Sequence, residues 1–156
     1  MVEQQTAQKG YAPEQVQKVL DGEITIKEAL KLDDSIEEAM YLLAYTKMQS
    51  GHWGEAFQAL GVLSALNPAD PRYPKGMGVC LQQIGQYGPA AFYFLWSNAI
   101  DESDPSPLLD VAQCYTADGD NDHARMALEL FLKKANELGG YEDKVSQAEV
   151  MMANIF

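Results

Sequence analysis

Positive charge is scarce in this sequence. Only 11 lysines and arginines stand against 23 aspartates and glutamates in 156 residues, a net charge of −12. Such a surface repels phosphate backbones, which argues against a nucleic-acid partner and favours a basic or strongly apolar one. Long apolar runs are missing too. The longest, Ala90 to Trp96, falls far short of the roughly 20 residues that span a bilayer. No charged-then-apolar signal pattern occurs in Met1 to Tyr11. A soluble, cytoplasmic protein that does not insert into membranes is expected. Cysteine is almost absent. Cys80 and Cys114 are 34 residues apart, which places them on neighbouring helices roughly 8–10 Å apart. That is a poor fit to the roughly 5.5 Å between the Cα atoms of a disulfide. Two buried thiols in a reducing compartment are expected.

Catalytic motifs are lacking as well. There is no Gly-rich phosphate loop, no Gly-x-Ser-x-Gly and no His-Glu-x-x-His. His52 and His123 have no second histidine or cysteine at ligand spacing. The acidic stretch Asp118 to Asp122, with Glu129 at the twelfth position, looks like a calcium loop. His123, however, stands where the sharp turn needs glycine, so a solvated acidic turn is expected. No catalytic residue, metal site or cofactor is expected: the chain binds and does not catalyse.

What the sequence does contain is a period. Gly51, Gly85 and Gly119 are each 34 residues from the next. Ala56, Ala90 and Ala124 follow at one offset, and Leu60, Phe94 and Leu128 at another. Before the glycines come Leu43-Ala44, Met77-Gly78 and Val111-Ala112. A 34-residue period in helical sequence is the tetratricopeptide spacing, one helix–turn–helix per repeat. The predicted fold is all-α: three such repeats over 35–138 (35–70, 71–104 and 105–138), forming a superhelix of helical hairpins. A segment of two short helices (1–34) precedes them, and a capping helix (139–156) follows.

Within that frame Met1 to Ala12 is polar and expected to fray. Pro13 opens one short helix and Thr25 caps a second. Neither is stable alone, and both need a surface, either the array or a second copy of the chain. Ser35 and Glu38 read as a capping box opening the first repeat. Gly76 and Gly78 each weaken their helix by roughly 1 kcal/mol relative to alanine. Gly78 is expected to admit a close crossing by the partner helix, with Ala90 facing it.

The leading helix of the first repeat carries two apolar stripes. Met40, Leu43 and Ala44 are expected to pack on the second helix, leaving Tyr41, Tyr45 and Met48 on a second face. Helix faces left free by stacking line the inner wall of the superhelix. The matching positions are Lys75, Val79 and Gln82, then Leu109 and Gln113, with Arg72 at the second position of the middle helix. This wall suits an extended peptide with a few apolar anchors. In the other reading, Tyr41 and Tyr45 receive the N-terminal helices.

These residues resemble a known family, the class II chaperones of bacterial type III secretion that serve the pore-forming translocators. The resemblance rests on Tyr41, Ala44 and Tyr45 leading to Gln49-Ser50-Gly51, then Glu55-Ala56, and Gly76, Gly78 and Cys80. It continues with Gly85-Gln86-Tyr87, Ala90, Ala112 and Cys114. It covers nearly the whole chain. Met48 stands where the family often has an aromatic, and Pro74 and Asp104 to Pro107 are unusual. The resemblance implies a cytoplasmic chaperone that uses no ATP and holds hydrophobic translocators before export. It would bind an extended N-terminal segment of each client in its groove, as a homodimer joined through its N-terminal region. The alternative is a general tetratricopeptide interaction scaffold or assembly factor.

Overall fold

The computed structural model describes residues 13–155, so the expected fraying of Met1 to Ala12 lies outside the described residues. Among those residues all regular structure is helical. Two short helices, α1 (Pro13–Leu20) and α2 (Ile26–Leu30), lead into three hairpins: α3 (Asp34–Gln49) with α4 (Trp53–Leu66), α5 (Arg72–Gln83) with α6 (Tyr87–Ile100), and α7 (Ser106–Ala117) with α8 (Asn121–Leu138). α9 (Glu142–Asn154) closes the array. From α3 onward each helix packs on the next in the chain, and α9 lies against both α8 and α7. The stack therefore has two layers, with leading helices α3, α5 and α7 in one and α4, α6 and α8 in the other.

The glycine column has a local cause. Gly51, Gly85 and Gly119 have φ of 73°, 77° and 80°, a left-handed conformation that costs any residue with a Cβ roughly 1–2 kcal/mol. Each turn closes with the same pair of bonds. The His52 N–H donates to Lys47 O (2.9 Å) and the Gly51 N–H to Met48 O (3.0 Å). Gln86 and Gly85 repeat this on Leu81 and Gln82, as do Asp120 and Gly119 on Tyr115 and Thr116. These are Schellman closures, which satisfy the last carbonyls of each leading helix.

Two expectations about α3 are corrected. Its N-cap is Asp33, whose Oδ1 accepts from the Ser35 N–H at 2.7 Å. The Ser35–Glu38 box does not form, because Glu38 turns instead to Arg72. Leu43 is not on the packed face: it is 59% exposed, whereas Ala44 is fully buried. Consecutive helical residues lie about 100° apart, and the buried stripe runs through Met40, Ala44 and Met48. Thr25 does cap α2, in a box with Glu28.

The core has two parts. One joins the first hairpin to α5 through Ala44, Ala56, Leu60, Leu63, Tyr73, Met77 and Cys80. The other runs from Ala90 and Phe94 through Leu108, Leu128 and Phe131 to Ala148 and Ile155 of the C-terminal cap. Both thiols are unbonded and buried. Burial pushes Cys80 up to about 11 and Cys114 up to about 12, the latter helped by the nearby Asp110 charge.

Gly78 is a close-approach position, and the side chain nearest to it is Phe94 of the partner helix: a Cβ there would meet the Phe94 ring at 3.0 Å. Gly76 has the same logic on the other side, since a Cβ there would sit 2.7 Å from Leu60 Cδ1. Phe94 is fully buried, so moving its ring aside would disturb the packing around it. Gly78→Ala is therefore expected to cost about 1–2 kcal/mol in urea unfolding, overpacking outweighing the gain in helix propensity. Gly88→Ala, with open space around its Cβ, is expected to be neutral or slightly stabilising. Equal effects at the two positions would refute the close-approach account.

Candidate peptide-binding groove

The leading helices bring some of the expected wall residues together and disperse others. Tyr41 and Tyr45 line one open depression of about 430 Å³ with Glu38, Ala39 and Leu42. Tyr45 is 46% exposed and Leu42 64%. Leu42 was missed from sequence because it lies beside the Tyr41–Tyr45 stripe, one residue past Tyr41. Arg72 and Lys75 line a second hollow of about 240 Å³ with Ser97, Asp101, Asp104 and prolines 71 and 107. Neither hollow includes Met48, Val79, Gln82, Leu109 or Gln113. Met48 is half-buried and turns toward α5, its Sδ 3.6 Å from where a Cβ on Gly76 would be. Val79 is half-buried against the C-terminal part of the core. Gln82 and Gln113 are half-buried. Leu109 is corrected: at 3% exposure it is a core residue, packed with Leu108, Val111 and Ala112, and presents no free surface.

The aromatic end of the wall rests on a polar foundation. The Tyr41 ring tilts against Tyr73 with centroids 5.8 Å apart, and the Arg72 guanidinium lies 4.5 Å from the Tyr41 centroid. Arg72 is held in that pose by carboxylates on both sides. Its Nη2 donates to Glu38 Oε1 at 2.5 Å and to Asp70 Oδ2 at 2.7 Å. Asp70 and then Glu38 hold its pKa well above the ordinary arginine value. A guanidinium so engaged presents its flat face to an aromatic. Lys75 Nζ is 3.6 Å from Asp104 Oδ2. Both cations of the expected wall are thus already paired with carboxylates of the chain itself. Burial raises the Tyr41 phenol, partly offset by Arg72, so it stays neutral and can donate its O–H.

Beneath this platform lies Glu37, which the sequence reading passed over. Its signal was an acidic residue on the inner stripe, four residues before Tyr41 and seven before Ala44. Further along the leading layer, Asp110 is half-buried and makes no hydrogen bond or ion pair among the described residues. Burial pushes it up to about 6, against the pull of Lys75 and Lys144.

No protein-family model matches the chain. Low calcium response locus protein H of Yersinia pestis is 29% identical over 111 residues, 71% of this chain and 66% of that protein. The alignment thus spans just under two thirds of that relative. The solved type III secretion translocator chaperone SycD of Yersinia enterocolitica superposes with a TM-score of 0.77 at 24% identity, covering 84% of this chain and 98% of SycD. Pseudomonas aeruginosa PcrH, solved with the chaperone-binding region of PopD, gives a TM-score of 0.74 at 26% identity, covering 80% of this chain and 93% of that one. The chain resembles the type III secretion translocator chaperones. The tetratricopeptide-like all-α architecture of these chaperones is also the fold of this chain.

Proposed function

We propose that this chain is a cytoplasmic chaperone, working without ATP, that holds a hydrophobic type III secretion translocator through an extended segment laid along the leading helices. The similarity to PcrH, solved with a translocator's chaperone-binding region, carries the reading. The open aromatic depression of Tyr41, Leu42 and Tyr45 supplies the physical means. An apolar client segment buried there is removed from water, which takes away its drive to aggregate or insert. No described helix is long and apolar enough to cross a membrane, which suits a protein that shields a membrane-active client and does not join it. The chemistry is binding and release, with no enzymatic step. Co-purification from the native host tests it: the expected companion is a large, apolar, membrane-disrupting protein. An assortment of unrelated soluble proteins would favour the general scaffold instead.

The N-terminal helices supply a self-association surface. Between α1 and α2 lies a pocket of about 210 Å³ lined by Gln15, Val16, Val19, Leu20, Ile26, Ala29 and Leu30. Leu20 is 75% exposed and Val16 48%. Apolar side chains of a second copy would fill this hollow, giving a homodimer through the N-terminal region. Val16→Asp with Leu20→Asp in the full chain is expected to give monomer in sedimentation at concentrations where the parent is dimeric. A dimer that survives both changes would place the interface elsewhere.

A further inference from the structure

Glu37 is the one charged side chain among the described buried residues, at 7% exposure. Three elements converge on its carboxylate. The Tyr73 O–H donates to Oε1 at 2.5 Å from α5, and Asn67 Nδ2 to the same oxygen at 2.8 Å from the α4–α5 connection. Lys27, on α2, pairs with Oε2 and also reaches Asp34 Oδ1 at 2.5 Å. Burial alone would raise the Glu37 pKa, but Lys27, Tyr73 and Asn67 together hold it down to about 2. The carboxylate is thus charged and bonded on both oxygens.

We infer that Glu37 is a positioning residue for the groove: through it the docking of α2 and the pose of the Tyr41–Arg72 platform form one unit. This rests on reading that platform as the client-binding surface. On one side, α2 is five residues long and buries none of them fully, so the Lys27 ammonium is its principal directional hold on the array. On the other side, Tyr73 is fully buried and forms the floor on which Tyr41 tilts. The Tyr73 hydroxyl has a fixed height because Glu37 fixes it, and Glu37 has a fixed rotamer because Lys27 and Asn67 take its remaining acceptor positions. Replacing all members of the network together by apolar side chains of the same volume could cost little stability, whereas removing one leaves the others unpaired. What the polar network adds is a single arrangement, since buried networks of this kind admit few alternative geometries. The N-terminal segment proposed above to hold a second copy and the surface proposed to hold a client are thereby linked by four side chains: Lys27, Glu37, Tyr73 and Tyr41.

The experiment uses the full chain with Lys27→Met and Tyr73→Phe. Tyr73 bonds nothing on α2, yet Tyr73→Phe is expected to speed tryptic cleavage after Lys31 roughly tenfold, the scale of losing one hydrogen bond to a charged group. Cleavage after Lys133 on α8, far from the network, serves as the control and is expected to stay at the parental rate. Conversely, the Lys27 ammonium pairs only with Asp34 and Glu37 among the described residues, yet Lys27→Met is expected to shift the Tyr41 ring resonances in NMR while those of Tyr115 and Tyr141 hold. Parental cleavage in Tyr73→Phe, or unmoved Tyr41 signals in Lys27→Met, would reduce Glu37 to two unrelated bonds and overturn the inference. If Tyr73→Phe accelerates cleavage at Lys31 and Lys133 alike, the effect is general destabilisation, and the inference falls as well. None of these readouts involves a client, so failure of the chaperone reading would leave them unchanged and be seen separately in co-purification.

Discussion

With Tyr41 and Tyr45 both changed to alanine, the chain is expected to stay helical and to bind an extended client segment roughly 10- to 100-fold more weakly. Aromatic anchors that fill a depression at the centre of a contact typically carry effects of this size. The two positions contribute differently. Tyr45 is 46% exposed and makes no ring contact with another described aromatic, so its loss alone should change stability by no more than about 0.5 kcal/mol. Tyr41 also packs on Tyr73 and lies under Arg72, so its truncation should cost about 1–2 kcal/mol of stability as well. Fluorescence anisotropy of a labelled client peptide reads the binding, and circular dichroism with thermal melting reads the fold. Unchanged affinity in the double variant would remove the aromatic depression from the binding surface. Loss of fold without selective loss of binding would make the two rings structural.

Stability against pH should pass through a maximum in mild acid, because two carboxylates pull in opposite directions. Asp110 is raised from 3.8 to about 6. Its contribution is fully present below the unfolded value and is lost as pH rises through 6, so neutral pH carries the penalty of a desolvated charge. A shift of this size corresponds to roughly 3 kcal/mol, discounted to about 1–2 kcal/mol because the group is only half-buried. Glu37 is lowered from 4.5 to about 2. Its contribution is present above 4.5 and is lost as pH falls toward 2, and it is worth up to about 3 kcal/mol. Stability should therefore rise from pH 7 to about 5, helped by relief of the net charge of −12, and fall below about 4.5. Asp110→Asn should raise the melting temperature at pH 7 by several degrees and lose that advantage by pH 4. Glu37→Gln should lower it at pH 7 and flatten the acid limb. A monotonic decline from pH 7 downward in the parent would contradict the assignment of Asp110.

The parts of this architecture written in local sequence were the legible ones. Gly51, Gly85 and Gly119 mark turns because each closure needs a left-handed residue next to a helix end. Pro68 follows α4 closely because proline cannot continue a helix. Where two local signals competed, the sequence did not decide: Asp33 and Ser35 are both good caps, and Asp33 prevailed while Glu38 was engaged by Arg72 from the next repeat. Leu43 and Leu109 were misplaced for a related reason. Helical periodicity fixes which residues share a face, but whether that face is open depends on the neighbouring layer, and α7 is covered on more sides than α3. The Glu37 network was beyond local reading. Its bonds to Asn67 and Tyr73 join residues 30 and 36 positions apart.

Helix α5 belongs to both parts of the core. Tyr73, Met77 and Cys80 face the first hairpin, while Val79 and Leu81 face the C-terminal part and Gly78 receives Phe94. A helix divided in this way is a line of parting. The first hairpin can loosen from α5 while α6 to α9 remain assembled, so amide protons of α3 and α4 should exchange through a smaller opening than those of α7 and α8. Under the function proposed above, with the aromatic depression on that first hairpin, such an opening would let a client go while the rest of the molecule stays folded for another round.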